Sequence, residues 1–269
     1  MKIINSAIIV FMFLIGIVLF PALPDSIPMH WNVFGQVDNY MPKNPAVFLL
    51  PILTTVMFIA FQIFPSFDPK KDKYRLFKHE WEIMQFGLVA FFAYLHFIIL
   101  YLTLNPAVAM MPLMFVGLGV LFILMGNYMS KIRQNYFIGM KLPWTLASED
   151  NWNKTHRFAS WCFVGAGILT LAEAYFIWFA PVVIFGSIFL ALALPIIYSF
   201  LLFKKAAHKM KYIYITLFAI IFIVGIIRLI SGEDDWICER QPASAGGSGE
   251  ARWVKHGQPS APMPTGECK

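Results

Sequence analysis

The sequence predicts an all-α fold: a polytopic α-helical integral membrane protein with about seven transmembrane helices, its N-terminus inside and its C-terminus outside. Three observations carry that prediction. The 269 residues are 59% hydrophobic and only 13% charged, against about 25% charged in soluble domains. The apolar residues collect into runs near the ~20 that cross a ~30 Å hydrocarbon core. Lys and Arg fall in alternate loops, so the net charge of +6 reads as a topology signal, with no direct nucleic-acid partner.

The first apolar run is Ile3 to Phe20, preceded by Lys2. A secretory signal peptide competes for this stretch, but its apolar region is about 7–15 residues long and ends at a small-residue cleavage site. Phe20-Pro21-Ala22-Leu23-Pro24 offers no such site, which favours an uncleaved span. Further runs are Ala46 to Phe64, Ile83 to Leu104, Ala107 to Met125, Phe158 to Phe203 and Tyr212 to Ile230. As one helix, Phe158 to Phe203 would measure about 69 Å at ~1.5 Å per residue, over twice the hydrocarbon core. Ala180-Pro181 lies near its middle, where a proline breaks the backbone ladder. The run therefore divides into two spans joined by a short turn, as Asn105-Pro106 joins the preceding pair, which gives seven.

Met1-Lys2, Pro65 to Glu82, Gly126 to Arg157 and Lys204 to Lys211 carry one, five, five and four Lys or Arg residues. The alternate loops, Pro21 to Pro45 and the two proline turns, carry one, none and none. The positive-inside rule then places the basic loops in the cytoplasm and the protein in the cell membrane as a multi-pass chain. Three parts follow: a membrane hairpin over 1–64 with an extracytoplasmic loop at 21–45, a helical membrane domain over 65–230 with a cytoplasmic loop at 126–157, and a flexible extracytoplasmic tail over 231–269. The tail is rich in Gly, Ser and Pro, a composition that buries little surface. Its Cys238 and Cys268 enclose 29 residues on the predicted outside, where disulfides persist. They are either bonded or two free thiols, while Cys162, in an apolar run, is expected to be packing.

The loop at 21–45 holds four prolines before its last, and glycine Gly35, so it should follow a fixed, turn-rich path. Within it Pro28, His30, Asn32, Gly35 and Asp38 either converge on a ligand or build a folded cap over the helix ends. One His and one Asp fall short of a zinc set. His96 and Glu173 lie deep in apolar runs, at matching depths about 20 Å along their helices. Ionisable groups there face the interior or a partner, so the two either pair with each other or are buried independently. Arg228, near the outer end of the last span, can extend to the interface.

The longest polar interruption is Gly126 to Arg157. Ser148-Glu149-Asp150 followed by Lys154, His156 and Arg157 matches a helix dipole, with Thr145 or Ser148 as the N-cap. A short helix should therefore lie at the inner membrane surface, with Trp144 and Trp152 at the headgroup level. Lys131, Arg133 and Lys141 are placed to meet lipid phosphates. There is no phosphate-binding glycine loop, H-E-x-x-H, CxxC or G-x-S-x-G. An enzyme is not expected, nor is a cofactor or metal.

That same stretch resembles the SdpI family, membrane immunity proteins named for the sporulation-delaying toxin system. The resemblance rests on Gly126-Asn127, Lys131, Arg133, Asn135, Gly139, Pro143-Trp144-Thr145-Leu146, Ser148, Trp152 and Thr155-His156-Arg157. The outer loop is similar to the conserved domain of unknown function often found ahead of that family, through Pro24, Ile27-Pro28, His30, Asn32, Gly35, Asp38, Tyr40 and Lys43. Gln134 departs from an expected proline, and Met140-Lys141-Leu142 from an Ile-Arg-Thr-like triplet. The resemblance implies resistance to a membrane-active peptide toxin met outside. It also implies signalling through a transcriptional repressor docked on Asn127, Lys131, Arg133, Asn135, Gly139, Pro143, Trp144, Thr145, Trp152, His156 and Arg157. The alternative is a small-solute or ion transporter or channel-like protein, with His96 and Glu173 on its path.

Overall fold

The computed structural model describes residues 1–176, 180–206, 219–224, 226, 236–240, 251–255 and 265. The chain forms two compact units, Met1–Ala206 and Ala207–Lys269. In the first unit, α1 (Lys2–Leu19) leads into a β-hairpin of β1 (Ser26–Trp31) and β2 (Val37–Pro42). Then come α2 (Lys43–Phe67), a 3-10 turn (Lys71–Phe77), α3 (Lys78–Leu104), α4 (Met110–Met129), the short α5 (Pro143–Ala147) and α6 (Glu149–Phe176). The unit closes with α7 (Ala180–Ile188), a π turn (Phe189–Ala193) and α8 (Leu194–Ala206). In the second unit β3 (Trp236–Arg240) pairs antiparallel with β4 (Ala251–Lys255), within the stretch read from the sequence as a flexible tail.

Six helical stretches among the described residues are long and apolar enough to cross a membrane. They are Lys2–Ala22, Lys43–Phe67, Lys71–Leu104, Met110–Met129, Glu149–Phe176 and Ala180–Lys205. The expected division of Phe158 to Phe203 into two spans is present, because α7 and α8 pack back on α6; residues 177–179, ahead of Ala180-Pro181, lie outside the described residues. The expected seventh span, Tyr212 to Ile230, lies largely outside the described residues, as do Arg228 and Cys268. Whether Cys238 and Cys268 are bonded therefore lies outside them too.

The helices pack in sequence. α1 and α2 meet α3, α3 meets α4, and α4 lies against α6, which also carries α7 and α8. The α4–α6 pair is the closest. A Cβ on Gly167 would stand 2.7 Å from the Gly119 carbonyl oxygen, and one on Gly126 would stand 2.8 Å from the Val164 nitrogen. Only glycine lets the two backbones approach this far, and in a bilayer such contact is a main source of helix association. Ser160 Oγ adds a hydrogen bond to the Gly126 carbonyl at 2.6 Å.

His96 and Glu173 are both buried in this packing. His96, buried on α3, donates through Nε2 to the Met12 carbonyl of α1 at 3.1 Å and lies against Gly16. Glu173 is buried on α6, which packs on α4, α7 and α8. Of the two readings, pairing and independent burial, the contacts of His96 with α1 suit the second, because matched depth along two helices does not decide which neighbour each one faces.

Gly167→Ala and Gly126→Ala should each lower stability by about 1–3 kcal/mol, because the contacted backbone cannot yield. At Gly186, where an added Cβ meets nothing within 4 Å, alanine should leave the melting temperature in detergent unchanged or higher.

Candidate functional site

Two constructions stand at opposite ends of α3 and α4. The first surrounds residues 126–157. After α4 the chain has no regular structure until α5, so its backbone polar groups need other partners. Side chains supply them. Asn135 Oδ1 accepts from the amides of Phe137 (2.9 Å) and Ile138 (2.8 Å), and its Nδ2 donates to the Arg133 carbonyl at 2.8 Å. Thr145 Oγ1 donates to the Met140 carbonyl at 2.6 Å and accepts from the Leu142 amide at 2.9 Å. Gln134 Nε2 donates to the carbonyls of Thr145 (2.8 Å) and Leu146 (2.9 Å), and its Oε1 accepts from Lys70 Nζ. The glutamine that departs from the expected proline thus ties α5 to the α2–α3 connection.

Trp152 and His156, one turn apart on α6, form the centre of this arrangement. Both are fully buried. Their rings stack with centroids 4.0 Å apart at 20°. Trp152 Nε1 donates to the Ile132 carbonyl at 2.8 Å. The Met140 amide points at His156 Nε2 (3.0 Å), and an amide can only donate, so Nε2 is the acceptor and the imidazole is neutral. Its proton sits on Nδ1, which donates to the Trp152 carbonyl at 2.8 Å. Gly139 lies against both rings with φ +101°, and a Cβ there would stand 2.3 Å from His156 Nε2. Glycine is required twice at this position, for the φ and for the space.

Three residues missed in the sequence complete the knot. Buried Asp68 accepts from the Lys70 amide (2.7 Å), Tyr74 Oη (2.9 Å) and the Tyr136 amide (2.9 Å), which satisfies a carboxylate with three donors. Ser199 on α8 accepts at Oγ from Trp144 Nε1 (2.8 Å), and its carbonyl accepts from Asn151 Nδ2 (3.0 Å). Asn151 Oδ1 in turn accepts from Thr155. An Asp-Pro pair at 68–69 is a turn signal that points to Asp68; nothing in the sequence marks Asn151 or Ser199.

The placement of Trp152 at the headgroups is corrected: its N–H serves a backbone carbonyl inside the protein. Trp144 is half-buried against Phe200 and Phe203. Of the two N-cap candidates, Ser148 caps α6 by accepting the Asn151 amide at 3.2 Å, while Thr145 lies inside α5. α6 runs unbroken from Glu149, so the expected short surface helix is its own first turns. Asn127, Lys131, Arg133, Lys141, Pro143 and Arg157 are exposed. Lys73 meets Glu149 at 2.9 Å, joining the α2–α3 connection to the start of α6.

The second construction is the hairpin, which lies across the other end of the helices. Ile27 is buried against α2 and α3, and Trp31 reaches Leu102 and Met110. Asp38 Oδ1 pairs with His30 Nδ1 at 2.5 Å, both side chains well exposed. Asn32 Oδ1 accepts the Phe34 and Gln36 amides, each at 3.0 Å, and Gly35 takes φ +78° in the turn. His30, Asn32 and Asp38 therefore all make bonds within the hairpin, as the folded-cap reading expects. No group of three or more potential metal ligands occurs among the described residues. Beneath the hairpin is a cleft of about 180 Å³ lined by Pro28, Trp31, Val37, Tyr40, Thr103 and Val108, among others.

Stacked apolar helices with one polar, internally bonded end and a small extramembrane hairpin at the other define a multi-pass helical membrane protein. Residues 131–199 match the SdpI/YfhL protein family, and residues 7–55 match a domain of unknown function, DUF1648. The chain is 26% identical over 206 residues to "Immunity protein SdpI" of Bacillus subtilis (strain 168), which covers 76% of this chain and 96% of that protein. The resemblance read from residues 24–43 and 126–157 is borne out, and the chain carries an SdpI-type segment behind a DUF1648-type one. No solved structure matches.

Gly139→Ala should destabilise the knot most, since both φ and space oppose it. His156→Phe keeps a ring over Trp152 but leaves the Met140 amide without its acceptor, a loss of about 1–3 kcal/mol for a buried unsatisfied donor. Thermal unfolding in detergent should rank Gly139→Ala and His156→Phe well below Arg157→Ala, whose side chain is exposed.

Proposed function

We propose that this protein acts as a non-enzymatic immunity factor, protecting the membrane that contains it against a membrane-active peptide toxin. The observation that supports this reading is the match to a named immunity protein along nearly its whole length. In this reading the N-terminus is cytoplasmic, and the hairpin end, with few basic residues, faces outward. Residues 1–64 then form the receiving part, and residues 65–230 the helical membrane domain whose knot faces the cytoplasm. The cleft beneath the hairpin has no Asp, Glu, Lys, Arg or His in its lining, which suits an apolar or aromatic side chain of a toxin.

A repressor docked at the membrane would meet a smaller surface than the motif suggests. Asn135, Thr145, Trp152 and His156 are fully buried and bonded within the protein and Gly139 and Trp144 are half-buried, which leaves Asn127, Lys131, Arg133, Pro143 and Arg157 exposed for contact. A transporter reading draws little support, because His96 is bonded to Met12 of the neighbouring helix as an internal tie.

Expression in a toxin-sensitive strain should raise survival under challenge with membrane-active peptides. Tyr40→Ala combined with Val37→Ala should lower that protection at equal membrane abundance. Arg133→Glu with Arg157→Glu should retain protection and weaken co-purification of a repressor. No protection against any candidate toxin at normal abundance would reject the immunity reading.

A further inference from the structure

The tip of the hairpin presents bare apolar surface. Phe34 is 73% exposed, Val33 40% and Val37 36%, and the five residues Val33 to Val37 carry no charge. An exposed phenylalanine on a mobile loop would mean little, but this tip is built. Asn32 holds the Phe34 and Gln36 amides through Oδ1, Asn32 and Gln36 also bond through their side chains at 3.1 Å, and the Asn32 amide donates to the Gln36 carbonyl at 2.9 Å. Gly35 lies so close to Met111 that a Cβ would stand 2.5 Å from its Cγ.

Met111 fixes the depth of the tip. It lies in the first turn of α4, whose 20 residues measure about 30 Å, the thickness of the hydrocarbon core with nothing to spare. The first turn of α4 must therefore stand at the hydrocarbon boundary, and so must the tip that touches it. The same helix exposes Val116 and Val120 further along. A rigid, uncharged tip at that level faces lipid as readily as those side chains do.

We infer that the hairpin tip is a membrane-interface anchor, with Phe34 and Val33 seated in the bilayer surface beside the start of α4. The lipid bilayer is its partner, and the anchor pins the hairpin flat over the ends of α3 and α4. This holds whichever way the chain is oriented and whether or not a toxin is the ligand.

Spin labels at Phe34→Cys, Val33→Cys, Asn39→Cys and Val116→Cys, in the full chain carrying Cys162→Ala, Cys238→Ala and Cys268→Ala, would be compared in phosphatidylcholine–phosphatidylglycerol liposomes. Positions 34 and 33 should follow 116, with collisions from oxygen exceeding those from a water-soluble nickel chelate, and position 39 should show the reverse. Should the cysteine replacements impair folding, Phe34→Trp in the otherwise native chain should show more quenching by acyl-brominated lipid than the parent. Chelate access at 34 equal to that at 39, or no added quenching, would place the tip in water and overturn the proposal. Shielding of 34 from both reagents would also overturn it, by pointing to a protein contact.

Discussion

The structure depends on one constraint: an irregular segment is folded into the end of a helical bundle, and every backbone donor and acceptor it buries must find a partner. Helices meet that demand internally, but the chain between α4 and α5 does not. Asn135, Thr145, Gln134, Trp152 and His156 meet it with side chains. The neutral His156 is central because it accepts from the Met140 amide and donates to the Trp152 carbonyl. One edge of the imidazole thereby takes the loop, while the other is fixed to the backbone of α6 itself.

From that knot the bonds run outward to the rest of the unit. Trp144 and Asn151 converge on Ser199 of α8, while Gln134, Tyr136 and Asn135 reach Lys70, Asp68 and Tyr74 beside the start of α3. The motif thus ties together helices whose apolar faces alone would associate weakly, since lipid competes for the same surface. Glycines 119, 126 and 167 do the complementary work within the membrane, holding α4 and α6 at backbone contact. A motif that looks like a recognition surface is mostly a fastening, and the basic side chains it leaves outside are the part a partner can reach.

The spans were legible in the sequence because hydropathy and length are local properties, and the division of Phe158 to Phe203 into two followed from the same arithmetic. The hairpin was not: Pro24, Pro28 and Pro42 read as turns, yet a proline is tolerated in a strand that lies at an edge, and both strands of a two-stranded sheet are edges. Trp152 was placed at the lipid interface because an indole serves equally well there or in a core with one acceptor. Asp68 and Ser199 escaped notice for another reason. Their partners, Tyr136 and Trp144, lie 68 and 55 residues away, and no local pattern records so distant a pairing. The capping serine and the acidic first turn of α6 were within reach of local chemistry, whereas Gly139 was marked by the resemblance alone.

The central claim is that the segment from residue 130 to 142 is a fixed part of the bundle, held by His156. Amide hydrogen exchange of the protein in lipid nanodiscs tests it most directly, read at Ile138, Met140 and Leu142 against the interior of α6. The account predicts that these three amides exchange slowly, within reach of the rates in α6, and that His156→Phe releases Met140 first. Rapid exchange at all three in the native protein, at the rate of an open loop, would contradict it.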